Sequence, residues 1–334
     1  MPATHPPDTG TVIGYYGSPQ AGGPIVGASV DLGATSVHLL VAAIDGHRLT
    51  PLIDESVFLE LGRAVADRGL LGRDARAELT STLAAYAATA RGLGAVAVTF
   101  VGTEPIRRAA DAAVIVGEVG AATAAPLNVL SHEEEAYLTI IGVTEGQPVE
   151  HETLVVDVGG GSSEFCVVHP ARAPRATGVR LGASGLTDRH VTHDPPTAAE
   201  FAAMRTAALE AVRVAPDARP DEIVAVGGTA SNLVKLVPDA GIDRFLTRER
   251  IESAMGELMA RPASVVAERH LVNPRRAGIL AGGAAIMAAI LERYRVDRLR
   301  VSEAGIREGT ILAVAHAGPT WRDHLADLAH GWRA

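Results

Sequence analysis

The sequence predicts an α/β protein of two duplicated domains with a cleft between them. Three observations carry that reading. One pattern, an apolar strand, an Asp, a turn of small residues and a second apolar strand, occurs twice without a gap. It reads Val30-Asp31-Leu32-Gly33-Ala34-Thr35-Ser36-Val37-His38 and, 126 residues later, Val156-Asp157-Val158-Gly159-Gly160-Gly161-Ser162-Ser163-Glu164. Strands alternating with helical stretches follow each copy, as α/β architecture requires. The 334 residues, 47 % of them hydrophobic, are enough to bury two cores. Two similar halves leave a cleft of the kind in which ligands usually sit.

The elements follow in order. Strands are expected over 26–31, 37–44 and Arg48–Phe58, with Asp45-Gly46 as the hairpin turn between the last two. The stretch 73–91 is rich in Ala and Leu, with apolar residues at helical spacing. A buried strand over 95–101 precedes a helix over 104–119, whose Pro105 sits in the first turn, where its missing N–H costs nothing. A short strand over 127–130 leads to Ser131, which with Glu134 three residues later forms a capping box and opens the next helix. The second half repeats the plan. Strands are expected over 154–157, 164–168 and 177–181, then a helix over 197–213, a strand at Glu222–Val226 and a helix over 229–236. Further helices over 248–259 and 275–294, a strand at Arg298–Val301 and a helix over 306–315 complete the set.

Composition excludes several classes. No apolar run approaches the roughly 20 residues of a membrane span. The segment 1–24 holds Pro, Gly, Thr and Tyr without a basic region followed by an apolar stretch, so it reads as a disordered tail rather than a targeting peptide. A single Cys166 excludes an internal disulfide and suits the cytoplasm. A net charge of −9 argues against nucleic acid or an anionic membrane as partner, so any field that attracts an anion must be local.

The chemistry-bearing candidates start with the two turns. Small residues after a strand let backbone N–H groups point at an anion, and Gly159-Gly160-Gly161-Ser162-Ser163 suits that role. The bland alternative is a hairpin turn that needs Gly for its backbone angles, which two turns in register, each led by an Asp, argue against. Asp31 and Asp157 repel phosphate but suit Mg²⁺, which bridges to phosphate oxygens. In Ser131-His132-Glu133-Glu134-Glu135-Ala136, three acids open a helix, as the helix dipole favours. That is the preferred reading for Glu133 and Glu134. Successive helical residues point about 100° apart, so not all three face the cleft, and one is free to act as a general base. Val226-Gly227-Gly228-Thr229-Ala230-Ser231 is either a strand-to-helix anion site or tight packing. Arg107, Arg108 and Arg307 suit phosphate oxygens, although most arginines only solvate a helix face. His38, His132 and His193 lack ligand partners at metal spacing, which speaks against zinc. Neither a Gly-x-Ser-x-Gly elbow nor a Walker-type Gly-Lys-Ser/Thr is present.

With these segments in view, the chain resembles the exopolyphosphatase / guanosine pentaphosphate phosphohydrolase (Ppx/GppA) family, in its short two-domain form. The resemblance runs from about Ile25 to about Val314. It rests on residues 31–36, Thr103-Glu104-Pro105-Ile106-Arg107, residues 131–136, residues 157–164, Leu181-Gly182-Ala183, residues 227–230 and Ser302-Glu303-Ala304-Gly305-Ile306-Arg307-Glu308-Gly309. It implies two duplicated RNase H-like domains of the actin, sugar kinase and heat-shock chaperone superfamily. The expected division is domain I over 25–131 plus 306–330 and domain II over 132–305.

The resemblance also implies roles. Glu135 is the expected base on the attacking water, Arg107 a phosphate-binding arginine, and Glu164 a further catalytic acid. Asp157 and Glu164 are the expected Mg²⁺ ligands, with Mn²⁺ as an alternative ion and a monovalent cation admissible. Asp31, Gly33, Thr35, Ser36, Gly159, Gly160, Gly161, Ser162, Gly228 and Thr229 are the expected phosphate-binding set. The expected activity is release of terminal orthophosphate from inorganic polyphosphate by Mg²⁺-assisted water attack. Alternatives are a pppGpp 5′-phosphohydrolase, a non-catalytic polyphosphate or nucleotide sensor, and an ATP-dependent kinase of the same superfamily. A cytoplasmic homodimer is implied. Two departures stand out. Ala34 and Thr35 replace the family's usual Ser-Asn, and Glu60 in Phe58-Leu59-Glu60-Leu61-Gly62 is an acid where a base is expected. Both imply a weaker anion grip by the first domain.

Overall fold

The computed structural model describes residues 24–332, so the tail expected over 1–24 lies outside the described residues except for Pro24. Eleven strands are described, β1 (Ile25–Leu32), β2 (Ser36–Asp45), β3 (Arg48–Phe58), β4 (Ala97–Gly102), β5 (Leu127–Val129), β6 (Thr153–Val158), β7 (Ser163–His169), β8 (Arg172–Val179), β9 (Glu222–Val226), β10 (Phe245–Thr247) and β11 (Arg298–Val301). They form two sheets, in the orders β3-β2-β1-β4-β5 and β10-β11-β9-β6-β7-β8.

Read from their hairpin ends, the sheets match. β1, β2 and β3 form an antiparallel meander, and β4 and β5 add to β1 in parallel. β6, β7 and β8 form the second meander, and β9 and β11 add to β6 in parallel. β10 is an antiparallel addition at the far edge of the second sheet. Central β1 and β6 are buried almost throughout, as their apolar runs demand. β3 is an exposed edge with Pro51 beside a register shift at Val41/Ala42, a place where a missing N–H is tolerated.

The predicted order of strands and long helices is recovered, and the α/β class with it. The differences are local. The helix expected over 104–119 is two, Glu104–Arg108 and Ala112–Thr123. The break serves the neighbouring loop: Asp111 accepts from the Leu71 and Gly72 amides at 2.9 and 3.0 Å and from Arg76 at 2.7 Å. β8 starts earlier than expected because its first residues, Arg172-Ala173-Pro174-Arg175, are mostly exposed on a sheet edge, where no apolar alternation marks them. β10 was not predicted. No described helix is long and apolar enough to cross a membrane.

Apolar packing divides into layers. One core lies under the first sheet and the helices Arg73–Gly92 and Ala112–Thr123; another lies under the second sheet around the helix Leu280–Tyr294. A third sits between the sheets and joins Val101 with Leu138, Ile141, Val155, Val224, Leu312 and Trp321. It is built by two helices, His132–Thr144 and Ile306–Ala317. They cross so closely that a Cβ on Gly309 would run into the Leu138 carbonyl, and one on Gly142 into the Gly305 carbonyl. The crossing brings the N-termini of both helices, with Glu135 and Arg307, to one cleft. Residues 325–330 pack against the first of these helices and against β7 and β8, and residues 318–324 against the second helix.

Candidate active site

The two duplicated turns fold alike and meet. In each, the first glycine closes the turn: Gly33 donates to the Ser36 carbonyl at 3.1 Å, and Gly159 to the Ser162 carbonyl at 3.0 Å. The carbonyls behind them are held from outside. Ala34 and Thr35 accept from the Gly62 and Glu60 amides at 2.8 and 3.0 Å, and Gly159 and Gly160 from Ala183 and Ser184 at 2.9 and 3.0 Å. With their carbonyls engaged, the turns present amide N–H groups to the cleft, the arrangement that receives an anion. Their tips touch. A Cβ on Gly160 would come within 2.5 Å of Thr35 Oγ1, and one on Gly161 within 2.5 Å of Glu104 Oε2.

Together they border a cleft of about 490 Å³. Its walls include every sequence-predicted phosphate residue except Thr229, and also Asp157, Glu135 and Glu164. Thr229 is buried against Gly283, so in the third turn Gly227, Gly228 and Ser231 face the cleft instead.

Carboxylates crowd the floor. Asp157 and Glu164 are cross-strand partners on β6 and β7, so their side chains share one face. Burial first, then the charge of Asp157, pushes Glu164 up to about 8, while burial pushes Asp157 up to about 6 against the pull of Arg276. Asp31 is pushed up to about 7 by burial and by Asp157, opposed by Arg307. Burial and Glu164 hold Glu135 well above the usual carboxylate range, against Arg107. Two carboxylate oxygens, Asp31 Oδ1 and Glu104 Oε2, are buried without a hydrogen-bond partner among the described residues. A floor of this kind calls for positive charge from outside the chain.

Three arginines answer part of it. Arg107 donates to Glu135 and to the Leu130 carbonyl, and it also lies 3.0 Å from His132 Nδ1. It thus stands behind Glu135 rather than lining the cleft. Arg276 is buried, lies against Gly228 and faces Asp157. Arg307 pairs with Asp54 of β3 in the first turn of its helix. The charges of both reach His38, whose imidazole is pushed down to about 3, chiefly by burial, and which lies 2.6 Å from Ser36 Oγ. Neutral His38 stands in the first hairpin where Glu164 stands in the second.

Glu134 forms the expected capping box with Ser131 and pairs with Arg322 at 2.7 Å, which accounts for it without chemistry. Glu60, the acid where a base was expected, lies 3.5 Å from Arg275, so the other half of the chain brings a base to that position. Nothing in the residue types distinguishes Arg276 from its neighbour Arg275, and no motif singled out a role for Glu104, whose buried side chain is aimed at the second turn. His132 has no ligand partner at metal spacing in the sequence, yet the fold sets it beside two acids. Donor atoms of His132, Glu135 and Glu164 lie within 4.8 Å of one another, because the fold joins segments that no local motif links.

Residues 40–317 match the Ppx/GppA phosphatase family. Over 300 residues the chain is 27 % identical to the guanosine-5′-triphosphate,3′-diphosphate pyrophosphatase of Vibrio atlanticus, covering 87 % of this chain and 59 % of that protein. It therefore spans about three fifths of the length of that relative, whereas a Haemophilus influenzae relative, 22 % identical, is matched over 90 % of its length. Among solved structures, a PPX-GPPA enzyme of Aquifex aeolicus superposes with a TM-score of 0.74 at 27 % identity, covering 86 % of this chain and 99 % of that one. An exopolyphosphatase from Cytophaga hutchinsonii gives 0.77 at 21 % identity, over 87 % of this chain and 97 % of that one, a likeness of fold.

Proposed function

The chain belongs to the Ppx/GppA phosphatase family, and on that premise we propose that it is an exopolyphosphatase, releasing the terminal orthophosphate of inorganic polyphosphate. The observation that carries this reading is Glu135. It is a buried carboxylate on the cleft floor, raised in pKa so that it accepts a proton readily, beside two anion-receiving turns. A water oxygen attacks the terminal phosphorus and the bridging P–O bond breaks. The water proton passes to Glu135, and the shortened chain leaves with the bridging oxygen. Amides of the two turns, with Arg276 and Arg307, offset charge on the transferring group, a reaction in which positioning and electrostatics dominate. Arg107 holds Glu135 in place.

Mg²⁺ belongs to the same proposal. The fit is supported by the crowded acids and by Asp31 Oδ1 and Glu104 Oε2, which have no hydrogen-bond partner among the described residues. Asp157 and Glu164 are the residues proposed to hold it, with Mn²⁺ as an alternative ion and a monovalent cation admissible. When bound, the ion supplies positive charge against phosphate oxygens. A second reading, a pppGpp 5′-phosphohydrolase, is favoured by the likeness to the guanosine-5′-triphosphate,3′-diphosphate pyrophosphatase of Vibrio atlanticus. A cytoplasmic homodimer completes the proposal, and light scattering on the purified chain tests the dimer.

The deciding experiment measures phosphate release in parallel from short polyphosphate, long polyphosphate and pppGpp, with and without Mg²⁺. Metal-dependent release from polyphosphate is the expected result. Preference for pppGpp moves the chain to the second reading. Tight binding with no release from any of the three leaves a sensor.

A further inference from the structure

All but one of the chain's 30 lysines and arginines are arginine, and the single lysine, Lys235, lines the cleft. It stands on the helix Gly227–Leu236, where Gly228, Ser231 and Lys235 recur at a spacing of three and four and all face the cleft. This helix starts at the acid floor. A Cβ on Gly227 would come within 2.3 Å of Asp157 Oδ1, and one on Gly228 within 2.7 Å of the Arg276 guanidinium. At about 1.5 Å per residue, Lys235 stands about 10 Å farther along the wall. Its backbone carbonyl accepts from His270 at 3.2 Å, and its exposed side chain is held by no other among the described residues. An independent observation points to a ligand here. Arg244 borders the same cleft, at the end of the short helix Pro238–Asp243 that packs on this one. Its Nη2 is buried without a hydrogen-bond partner among the described residues. Glu303 Oε1 stands 3.1 Å away, out of hydrogen-bonding alignment, on a side chain that is 81 % exposed. So open an ion pair holds Arg244 weakly and leaves a buried donor for a ligand oxygen.

We propose that Lys235 and Arg244 form a second anion subsite, which holds phosphate oxygens of the substrate remote from the phosphorus under attack. The word remote rests on the hydrolytic role of Glu135 proposed above; the binding of phosphate oxygens does not. A chain whose terminal phosphorus lies at Glu135 reaches Lys235 only with phosphates several units from its end. Polyphosphate supplies them by its length, and pppGpp by the 3′-diphosphate on its ribose. The charges along the cleft favour this orientation. Acids crowd the floor, where positive charge must come from outside the chain, whereas the far wall carries its own cations. The residue types fit as well. Arginine offers a fixed fork to phosphate oxygens, and lysine a compact charge with three donors on a flexible stem. A tail of identical phosphates presents no fixed plane, and a mobile ammonium follows it as the chain shortens. Lys235 and Arg244 thus bind the tail and set a preference for length; they do not touch the reacting atoms.

The single lysine makes the test direct. An amine-acetylating reagent has two targets in the whole chain, Lys235 and the α-amino terminus, which mass spectrometry separates. With Mg²⁺ and long polyphosphate in large excess, acetylation of Lys235 is expected to slow several-fold relative to the terminus, and orthophosphate is expected to protect it far less. Protection by pppGpp and not by polyphosphate keeps the subsite and assigns it to the 3′-diphosphate. Acetylation as fast with both as with neither overturns the proposal. In a second arm, Lys235→Gln is expected to raise KM for long polyphosphate by about tenfold, and by clearly less for tripolyphosphate. Lys235→Arg is expected to recover most of that loss, and melting midpoints establish that both variants fold. A KM for long polyphosphate that Lys235→Gln leaves unmoved also overturns the proposal. The acetylation arm needs neither a variant nor turnover. A chain that is protected but releases no phosphate keeps the subsite and loses the hydrolytic reading, and one that releases phosphate without protection does the reverse.

Discussion

Glu164 lies directly across the β6–β7 ladder from Asp157, so two carboxylates are set side by side at the mouth of the second turn. The equivalent pair in the first hairpin is Asp31 and His38. One copy of the duplicated unit thus opposes acid to acid, and the other opposes acid to an imidazole held neutral by burial and by Arg307 and Arg276. The duplication has become a division of labour. The second half pairs two acids, as the proposed cation and proton transfer would require, and the first pairs an acid with a neutral ring.

Glu135→Gln keeps the shape and the contact with Arg107 but removes the proton acceptor. Turnover is expected to fall by about 10²–10⁴, with KM nearly unchanged. Steady-state phosphate release checks this, and wild-type turnover in the variant would remove Glu135 from its assigned role.

Stability of the metal-free protein is expected to fall as pH rises. The folded-state values of Asp157, Asp31 and Glu164 are raised to about 6, 7 and 8, above the ordinary 3.8 and 4.5. A raised folded value means that the folded chain binds more protons than the unfolded one. The contribution is therefore complete below about pH 4 and is lost as pH climbs through about 8. Melting midpoints with chelator should decline across that window, and added Mg²⁺ should restore more at pH 8 than at pH 5. A flat profile contradicts the crowding of acids on the floor.

Gly160→Ala places a methyl where Thr35 Oγ1 and Ser184 Oγ stand at 2.5 and 3.0 Å. The variant should fold and bind polyphosphate more weakly, because the two turns can no longer close to their present distance. Adding Thr35→Ala removes the nearer of those atoms and should recover part of the loss. Non-additive effects in the double variant, read from KM, test the contact between the halves.

Gly309→Val should destabilise the packing of the two crossing helices. A side chain there meets the Leu138 carbonyl and the Gly142 amide, and overpacking of this kind costs about 1–3 kcal/mol. A lowered melting midpoint is the readout, and an unchanged one means that the two helices separate more easily than their packing implies.

Much of this arrangement was legible because it recurs. The repeat at a fixed offset located Asp31 and Asp157, and their apolar flanks located β1 and β6 at the centres of two sheets. Glu135 was legible only through its resemblance, since position on a helix does not choose among three adjacent acids. What escaped was settled by distant parts of the chain. Arg276 and Arg275 are neighbours of the same type, yet one is buried against Asp157 and the other reaches out to Glu60. His132 acquires its partner from β7, 32 residues away. The helix over 104–123 breaks because Asp111 serves another loop, and nothing in its own propensity announces that.

The crossing of His132–Thr144 with Ile306–Ala317 has a mechanical meaning. Where Gly142 and Gly309 meet, peptide lies on peptide, with no side chain of either glycine between the two rods. Each rod carries chemistry at its near end, Glu135 on one and Arg307 on the other. A small angular change at the crossing is therefore a change in the gap between the Glu135 carboxyl and the Arg307 guanidinium. The helices form a pair of tongs whose rivet is made of glycine.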